Sequence, residues 1–367
     1  MKKKSEILPN NICFITHQLE HLHNVSVSIS FKAGSLYESK YNNGISHLVE
    51  HLFFRQLSDL SQESLYFNMQ KIGGEITGKT YCDYVTFSIN VIPQYLYDAL
   101  DIMLKFFDDF EWSNSIILKE KEVVLRQIEN KAYSYNQWID SIYFENTKYT
   151  LPIMGTKKTV KSLTAFEINS WKKEYFSPAN SCVTITGNFS NEFYDFLKQK
   201  LSIINNFGKK QAPIIEIAPN FTKRNSDNYL TVINADSKLS EVVVLFDIKN
   251  TFDYESVKLI TSILSDGCGS KLSMIMREKY QLTDDIFTQL TSYCGFHRYS
   301  ISYTVKNKNI FNSIDILFKI INEIKTDIIL NEYASTIPFF TDNQMIDLDN
   351  CQKLNEDYVL SSYAGIL

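Results

Sequence analysis

Apolar and polar residues alternate with period two over Val25-Ser26-Val27-Ser28-Ile29-Ser30-Phe31, which predicts a strand with one buried and one polar face. A turn-rich stretch with Gly34-Ser35 and Asn42-Asn43-Gly44 follows. From Ile45 to about Leu57 the apolar positions switch to helical spacing, with Leu48, Val49, Leu52 and Phe53 on one side and Asn42 or Asn43 placed as a cap. Ser61–Ile72 reads as a second helix closed by Gly73-Gly74. Tyr84–Val91 alternates again and stops at Pro93, as a strand. Gln94–Phe107 and Ser115–Lys131 are helical in pattern, and Cys182–Ile185 before Gly187 is a short strand.

The pattern lapses around 205–224, where Asn205-Asn206-Phe207-Gly208, Pro213 and Pro219-Asn220 read as an exposed connector. The order of elements then recurs: strands Tyr229–Asn234 and Glu241–Ile248, helices Asp253–Leu264 and Lys271–Glu278, strand Tyr299–Val305, helix Phe311–Lys325. The expected fold is α+β, with two similar halves, each a mostly antiparallel sheet packed with helices. Its boundaries are 1–206 for the first domain, 207–224 for a linker and 225–367 for a shortened second domain, since little follows Lys325 beyond about one helix and a tail.

Composition narrows the function classes. A chain of 367 residues with 44% hydrophobic and 22% charged residues has the balance of a soluble two-domain protein. A net charge of -5 gives no footing for nucleic acid or an anionic membrane. The six cysteines are scattered without a C-x-x-C pair, so neither a disulfide framework nor a cysteine zinc site is expected. Met1-Lys2-Lys3-Lys4 opens like a signal peptide, but Ser5-Glu6-Ile7-Leu8-Pro9 supplies no apolar core for one. No run approaches the roughly 18 apolar residues of a membrane span. A reducing cytoplasm is the expected location.

His47-Leu48-Val49-Glu50-His51 carries the chemistry. On a helix, residues i and i+4 project from one face, so both imidazoles reach a single ion. Glu50 lies beside that face, placed to take a proton from a water activated by zinc and to return it to a leaving amine. Two His and a Glu also meet by chance on solvated helices, so the five residues need context. Only six His occur in the chain; His17, His21 and His23 read as surface or strand residues and His297 as a loop or strand residue.

The context resembles the pitrilysin (insulinase) family of inverted H-x-x-E-H zinc metallopeptidases, in its processing-peptidase branch. The resemblance runs from Phe31-Lys32-Ala33-Gly34-Ser35-Leu36-Tyr37-Glu38 through Gly44-Ile45-Ser46 and the histidine motif. It continues in Gly73-Gly74-Glu75-Ile76-Thr77-Gly78-Lys79-Thr80, Met154-Gly155-Thr156, Tyr175-Phe176-Ser177-Pro178-Ala179-Asn180 and Gly187-Asn188-Phe189. Gly269-Ser270-Lys271-Leu272 with Arg277-Glu278-Lys279 is similar to the family's second-half helix. The resemblance implies zinc held by His47, His51 and a third ligand on a later helix, seven residues after a supporting Glu. Glu120 matches the supporting position, and the third-ligand position falls on Gln127, an amide. Glu129 would point about 200° away, and Glu120 itself lies roughly 10 Å back along the axis, so neither replaces it.

Two further departures matter. The family's Arg and Tyr, seven residues apart, match Arg277 and Asp284, and an aspartate would repel an oxyanion. Arg277 then has the plainer reading of an exposed helix charge beside Glu278. Thr77-Gly78 stands where the family has Asn-Ala on a strand that pairs with the substrate backbone. The resemblance thus implies the metal-side subunit of a zinc endopeptidase that cleaves extended peptides, for instance in precursor maturation, with a homologous partner supplying the Arg/Tyr pair in a heterodimer, or a homodimer. The other reading is a catalytically silent peptide-binding or scaffold subunit.

Overall fold

The computed structural model describes residues 2–130, 135–144, 147–205, 238–249, 254–267, 269–293, 296–326 and 330–363. The chain divides into two compact units, one of Met1–Pro219 with Asp349–Leu367 and one of Asn220–Leu348. The first unit begins with β1 (Lys2–Ile7), β2 (Cys13–Gln18), β3 (Val25–Phe31) and α1 (Ile45–Arg55). A two-residue ladder of β4 (Gln56–Leu57) and β5 (Leu60–Ser61) leads to α2 (Gln62–Lys71), β6 (Glu75–Thr80) and β7 (Val85–Val91). Then come α3 (Leu96–Leu104), α4 (Asn114–Asn130), α5 (Tyr135–Tyr143), α6 (Lys157–Ser162), α7 (Ala165–Tyr175), β8 (Ser181–Gly187) and α8 (Asn191–Ser202).

The strands form one sheet in the order β1-β2-β8-β3-β7-β6. Every neighbouring pair is antiparallel except β2 with β8. Alternation gives the sheet two different faces. Val25, Val27, Ile29 and Phe31 of β3, Val85, Phe87 and Ile89 of β7, and Val183 and Ile185 of β8 join one apolar core with α1 and its neighbouring helices. Phe53 of α1 is the hub, its ring 5.1–5.5 Å from those of Phe87, Phe106, Trp112 and Phe176.

The described part of the second unit holds β9 (Leu239–Lys249), α9 (Tyr254–Ser265), a π-helical turn over Ser273–Lys279, β10 (Ile286–Tyr293), β11 (Phe296–Lys306), α10 (Ile310–Thr326) and α11 (Leu330–Asp347). Its three strands are antiparallel in the order β10-β11-β9. Leu272, Met276, Tyr299, Ile301, Tyr303, Val305, Leu317 and Ile320 form a separate core. The helix expected over Lys271–Glu278 is thus a π turn, one residue wider than an α turn. The expected strand Tyr229–Asn234 and the expected linker 207–224 lie outside the described residues. Among the described residues, no helix is long and apolar enough to cross a membrane.

A final helix, α12 (Cys351–Tyr363), corrects the expected boundary of 225–367 for the second domain, because it belongs to the first unit. It covers the second face of the six-stranded sheet, where Ser26, Ser28, Ser30, Thr86, Ser88, Thr184 and Thr186 are all buried. Asn355, fully buried, is the physical reason. Its amide donates to the Ser26 carbonyl and to Ser28 Oγ, both at 3.1 Å, and accepts from Thr186 Oγ1 at 2.7 Å. Serine hydroxyls pair across the strands, Ser88 to Ser28 at 2.9 Å and Ser30 to Thr86 at 2.8 Å. Most of the layer's polar groups satisfy one another, while the Ser26 and Thr184 hydroxyls are buried without a hydrogen-bond partner. The half-buried strand expected over Val25–Phe31 is buried on both faces.

Candidate functional site

The site is built on α1. Its amino terminus is set by Gly44, whose φ of 95° suits glycine and where a Cβ would come within 2.7 Å of the Met154 carbonyl oxygen. Glu38, almost wholly buried, receives the helix's first amides: its carboxylate accepts from the Gly44 and Ser46 N–H groups at 2.8 and 2.9 Å and from Asn43 Nδ2 at 2.9 Å. Burial raises the Glu38 pKa, and those hydrogen bonds work against the rise. A carboxylate at this end also meets the positive end of the helix dipole. The start of α1 is therefore fixed, and so is the direction in which its later side chains project.

Leu48, Val49, Leu52 and Phe53 turn into the core, which leaves His47 and His51 on the opposite side with ring centroids 4.6 Å apart. Helix α4 packs against α1 and delivers two residues seven positions apart. Glu120 Oε1 lies 2.9 Å from His51 Nδ1. Its other oxygen accepts from Arg55 Nε, and Arg55 Nη1 in turn donates to Gln62 Oε1 at 2.7 Å. Gln127 Oε1 stands 3.4 Å from His47 Nε2. Glu129, by contrast, is exposed and pairs with Lys157 at 3.1 Å.

Strand β6, at the sheet edge, closes a third side. Thr80 Oγ1 donates to Glu50 Oε2 at 2.8 Å, and the same oxygen lies 3.4 Å from His47 Nδ1. Gly78 sits beneath the other oxygen, where a Cβ would fall 2.6 Å from Glu50 Oε1 and 2.6 Å from the Phe54 ring. Burial opposes ionisation of Glu50, but His47, Thr80 and His51 outweigh it and hold its pKa below the ordinary value. Glu120 shows the same balance: burial raises its pKa, and His51 and Arg55 bring it down further.

Whether these residues suit zinc turns on the donors they leave open. Glu120 occupies His51 Nδ1, so Nε2 is the nitrogen left to face an ion, with its tautomer fixed by a carboxylate. The 3.4 Å between His47 Nε2 and Gln127 Oε1 is long for a hydrogen bond. It equals about the edge of a tetrahedron whose ligands stand 2.0–2.1 Å from a central zinc. One imidazole and the amide oxygen thus stand at ligand spacing, with the second imidazole beside the first and a carboxylate alongside. The set fits zinc as neutral donors, without the carboxylate that would strengthen it. Among the described residues there is no group of three or more His, Cys, Asp and Glu placed to hold a metal, since the third position is an amide.

The other residues singled out from the sequence fall elsewhere. Alternation along β6 carries the Thr77 side chain to the face opposite Gly78 and Thr80, and its hydroxyl donates to the Ser88 carbonyl at 3.4 Å. Arg277 lies in the second unit, about half exposed, and its Nε is 3.3 Å from Glu278 Oε1. Asp284 is exposed. Thr80, Arg55 and Glu38 were not recognised as site residues. Thr80 had a signal, since it has the parity of Gly78 on a strand next to α1. The contacts of Arg55 and Glu38 are tertiary and left none.

Two family models match the chain in succession. The family described as Insulinase (Peptidase family M16) matches residues 14–157, and the one described as Peptidase M16 inactive domain matches residues 162–334. An uncharacterized zinc protease of Rickettsia felis is 22% identical over 329 residues, 88% of this chain and 76% of that protein. The zinc protease YmxG of Bacillus subtilis, also uncharacterized, is 25% identical over 190 residues, and the match spans 50% of this chain and 46% of that protein. The beta subunit of the Saccharomyces cerevisiae mitochondrial-processing peptidase is 26% identical over 168 residues, 45% of this chain and 36% of that subunit. Two of these three matches thus span less than half of the relative. In fold, a crystal structure of a protease from Helicobacter pylori aligns with a TM-score of 0.79 at 18% identity, covering 100% of this chain and 92% of that one. The two domain matches follow one another along most of the sequence, and the first contains the His47–His51 helix. The chain therefore belongs to the insulinase, or pitrilysin, family of peptidases.

Proposed function

We propose that this chain is the metal-side subunit of a zinc-dependent endopeptidase that cleaves extended peptides. His47 and His51, through Nε2, and Gln127, through Oε1, would hold the ion. Bound zinc supplies a Lewis acid that polarises a peptide carbonyl and acidifies a water near it. Glu50 Oε1 accepts the proton of that water and returns it to the departing amine. Thr80 keeps Oε2 engaged, so the carboxylate presents one oxygen in a fixed direction. An extended peptide adds to the sheet as a strand beside β6, main chain to main chain. A homologous partner subunit supplies the stabilising Arg/Tyr pair that the Arg277–Asp284 spacing lacks.

The observation that supports this reading most is the placement of Gln127 Oε1 against His47 Nε2 while Glu120 occupies His51 Nδ1. A solvated helix face with two histidines has no need of either. The second reading, a silent scaffold or peptide-binding subunit, is favoured by one observation, the amide at position 127. Glu50→Gln separates the two. A peptidase subunit retains its zinc and loses peptide hydrolysis by about 10²-fold or more, the range a general base commands. A silent subunit, assayed with any homologous partner, shows no hydrolysis for the substitution to remove.

A further inference from the structure

On the face of the sheet away from α1, beneath the end of α12, two cysteines stand side by side. Cys13 of β2 is in register with Cys182 of β8, the one parallel pair in the sheet. Both thiols are free, and both belong to a small cluster with Ile15, Tyr84 and Val359. Neighbouring strands run about 4.8 Å apart, which places in-register Cα atoms inside the span a disulfide bridges. Cys13 Sγ is 3.1 Å from Ser362 Oγ in the last turn of α12.

We propose that Cys13 and Cys182 are a reversible disulfide-forming site, oxidised by a hydroperoxide and restored by a dithiol. Cys13 is the attacking sulfur. It is 9% exposed where Cys182 is fully buried, and it lies beside Ser362 in the last turn of α12. Hydrogen bonding from Cys182, then from Ser362, with the nearby Lys32 charge, brings its pKa down to about 7 against the cost of burial. The Cys13 thiolate attacks one peroxide oxygen, the O–O bond breaks and hydroxide leaves, giving a sulfenic acid. Cys182 then attacks that sulfur, the S–O bond breaks, and the hydroxyl leaves as water with the Cys182 proton. Two thiols are oxidised while one peroxide is reduced to water. Cys351 is an internal contrast: burial pushes its pKa up to about 11, and its thiol donates to Asn24 Oδ1 at 3.5 Å with no second sulfur in that bond.

The test is peptide mapping of the full chain after a few equivalents of hydrogen peroxide, with free thiols alkylated under denaturing conditions. The expected result is a Cys13–Cys182 cross-linked peptide that dithiothreitol converts back to two alkylatable thiols. Cys182→Ser, checked for folding by circular dichroism, abolishes the cross-link and lets dimedone trap a sulfenic acid on Cys13. Wild-type protein in which both thiols stay alkylatable, or in which Cys13 goes to sulfinic acid without linking to Cys182, overturns the proposal whatever the variant does.

Discussion

Glu120 Oε1 and His51 Nδ1 lie 2.9 Å apart across the α1–α4 contact, and the second oxygen of the same carboxylate accepts from Arg55. One buried side chain therefore fixes the tautomer of a histidine and the rotamer of an arginine one turn further along the same helix. Removing an outer partner of this kind typically costs 10–100-fold in metal affinity. Glu120→Ala is expected to weaken zinc by about that factor in a competition titration against a chromogenic chelator. Unchanged affinity would mean that Glu120 is only a structural partner of Arg55.

Gly78 tests the other side of the site. A methyl group there would press on Glu50 Oε1 and on the Phe54 ring, each at 2.6 Å. Gly78→Ala should turn the carboxylate away and lower peptide hydrolysis by about 10-fold or more, since general-base catalysis contributes 10²–10⁴-fold. Zinc affinity should hold, because neither histidine is touched. A variant with full hydrolysis would show that Glu50 has room to spare.

Asn355 tests how α12 is held. Asn355→Ala leaves the Ser26 carbonyl and the Ser28 and Thr186 hydroxyls without their buried partner. A loss of about 1–3 kcal/mol is expected. It should appear as a lower urea midpoint for the first unit and as faster amide exchange along α12. Exchange that speeds up only in the second unit would contradict the placement of this helix.

Lys172 carries a pH dependence. Its ammonium is buried, donates to the Asp108 and Phe110 carbonyls at 3.1 and 2.6 Å, and sits 3.6 Å from the Phe110 ring centroid. Burial lowers its pKa from 10.5 to about 8. Because the folded pKa lies below the unfolded one, the folded state binds fewer protons between them. This contribution to stability is fully present above 10.5 and is lost as the pH falls through 8. Urea midpoints should rise from about pH 8 to about pH 10, and Lys172→Met should flatten that rise. The same variant should be less stable at neutral pH by about 1–3 kcal/mol, because two buried carbonyls lose their donor.

Much of the site could be read from residue spacing. His47, Glu50 and His51 are neighbours on any helix, and the seven-residue step from Glu120 reaches Gln127 on one face, where the structure has both facing α1. Helical geometry is local, so sequence carries it. What sequence could not carry is the covering of a face. Val25–Phe31 announces two faces of different polarity, but serine facing water and serine facing Asn355 have the same alternation. The return of α12 to the first unit was hidden for the same reason. Its polar residues look like a solvated tail until the Ser/Thr layer that receives them is known. Lys2–Ile7, polar and rich in lysine, gave no strand signal because β1 is an edge strand that pairs only with β2.

On the proposed reading, His47, His51 and Gln127 form a genuine, weakened zinc site. The most direct measurement is zinc affinity and content of the chain beside Gln127→Glu and His47→Ala. The expected result is about one zinc per wild-type chain when metal is supplied, none in His47→Ala, and binding at least about 10-fold tighter in Gln127→Glu, where a carboxylate replaces a neutral donor. Absence of zinc from wild type and Gln127→Glu alike, at micromolar metal, would rule out a zinc site here and leave the silent subunit as the better description.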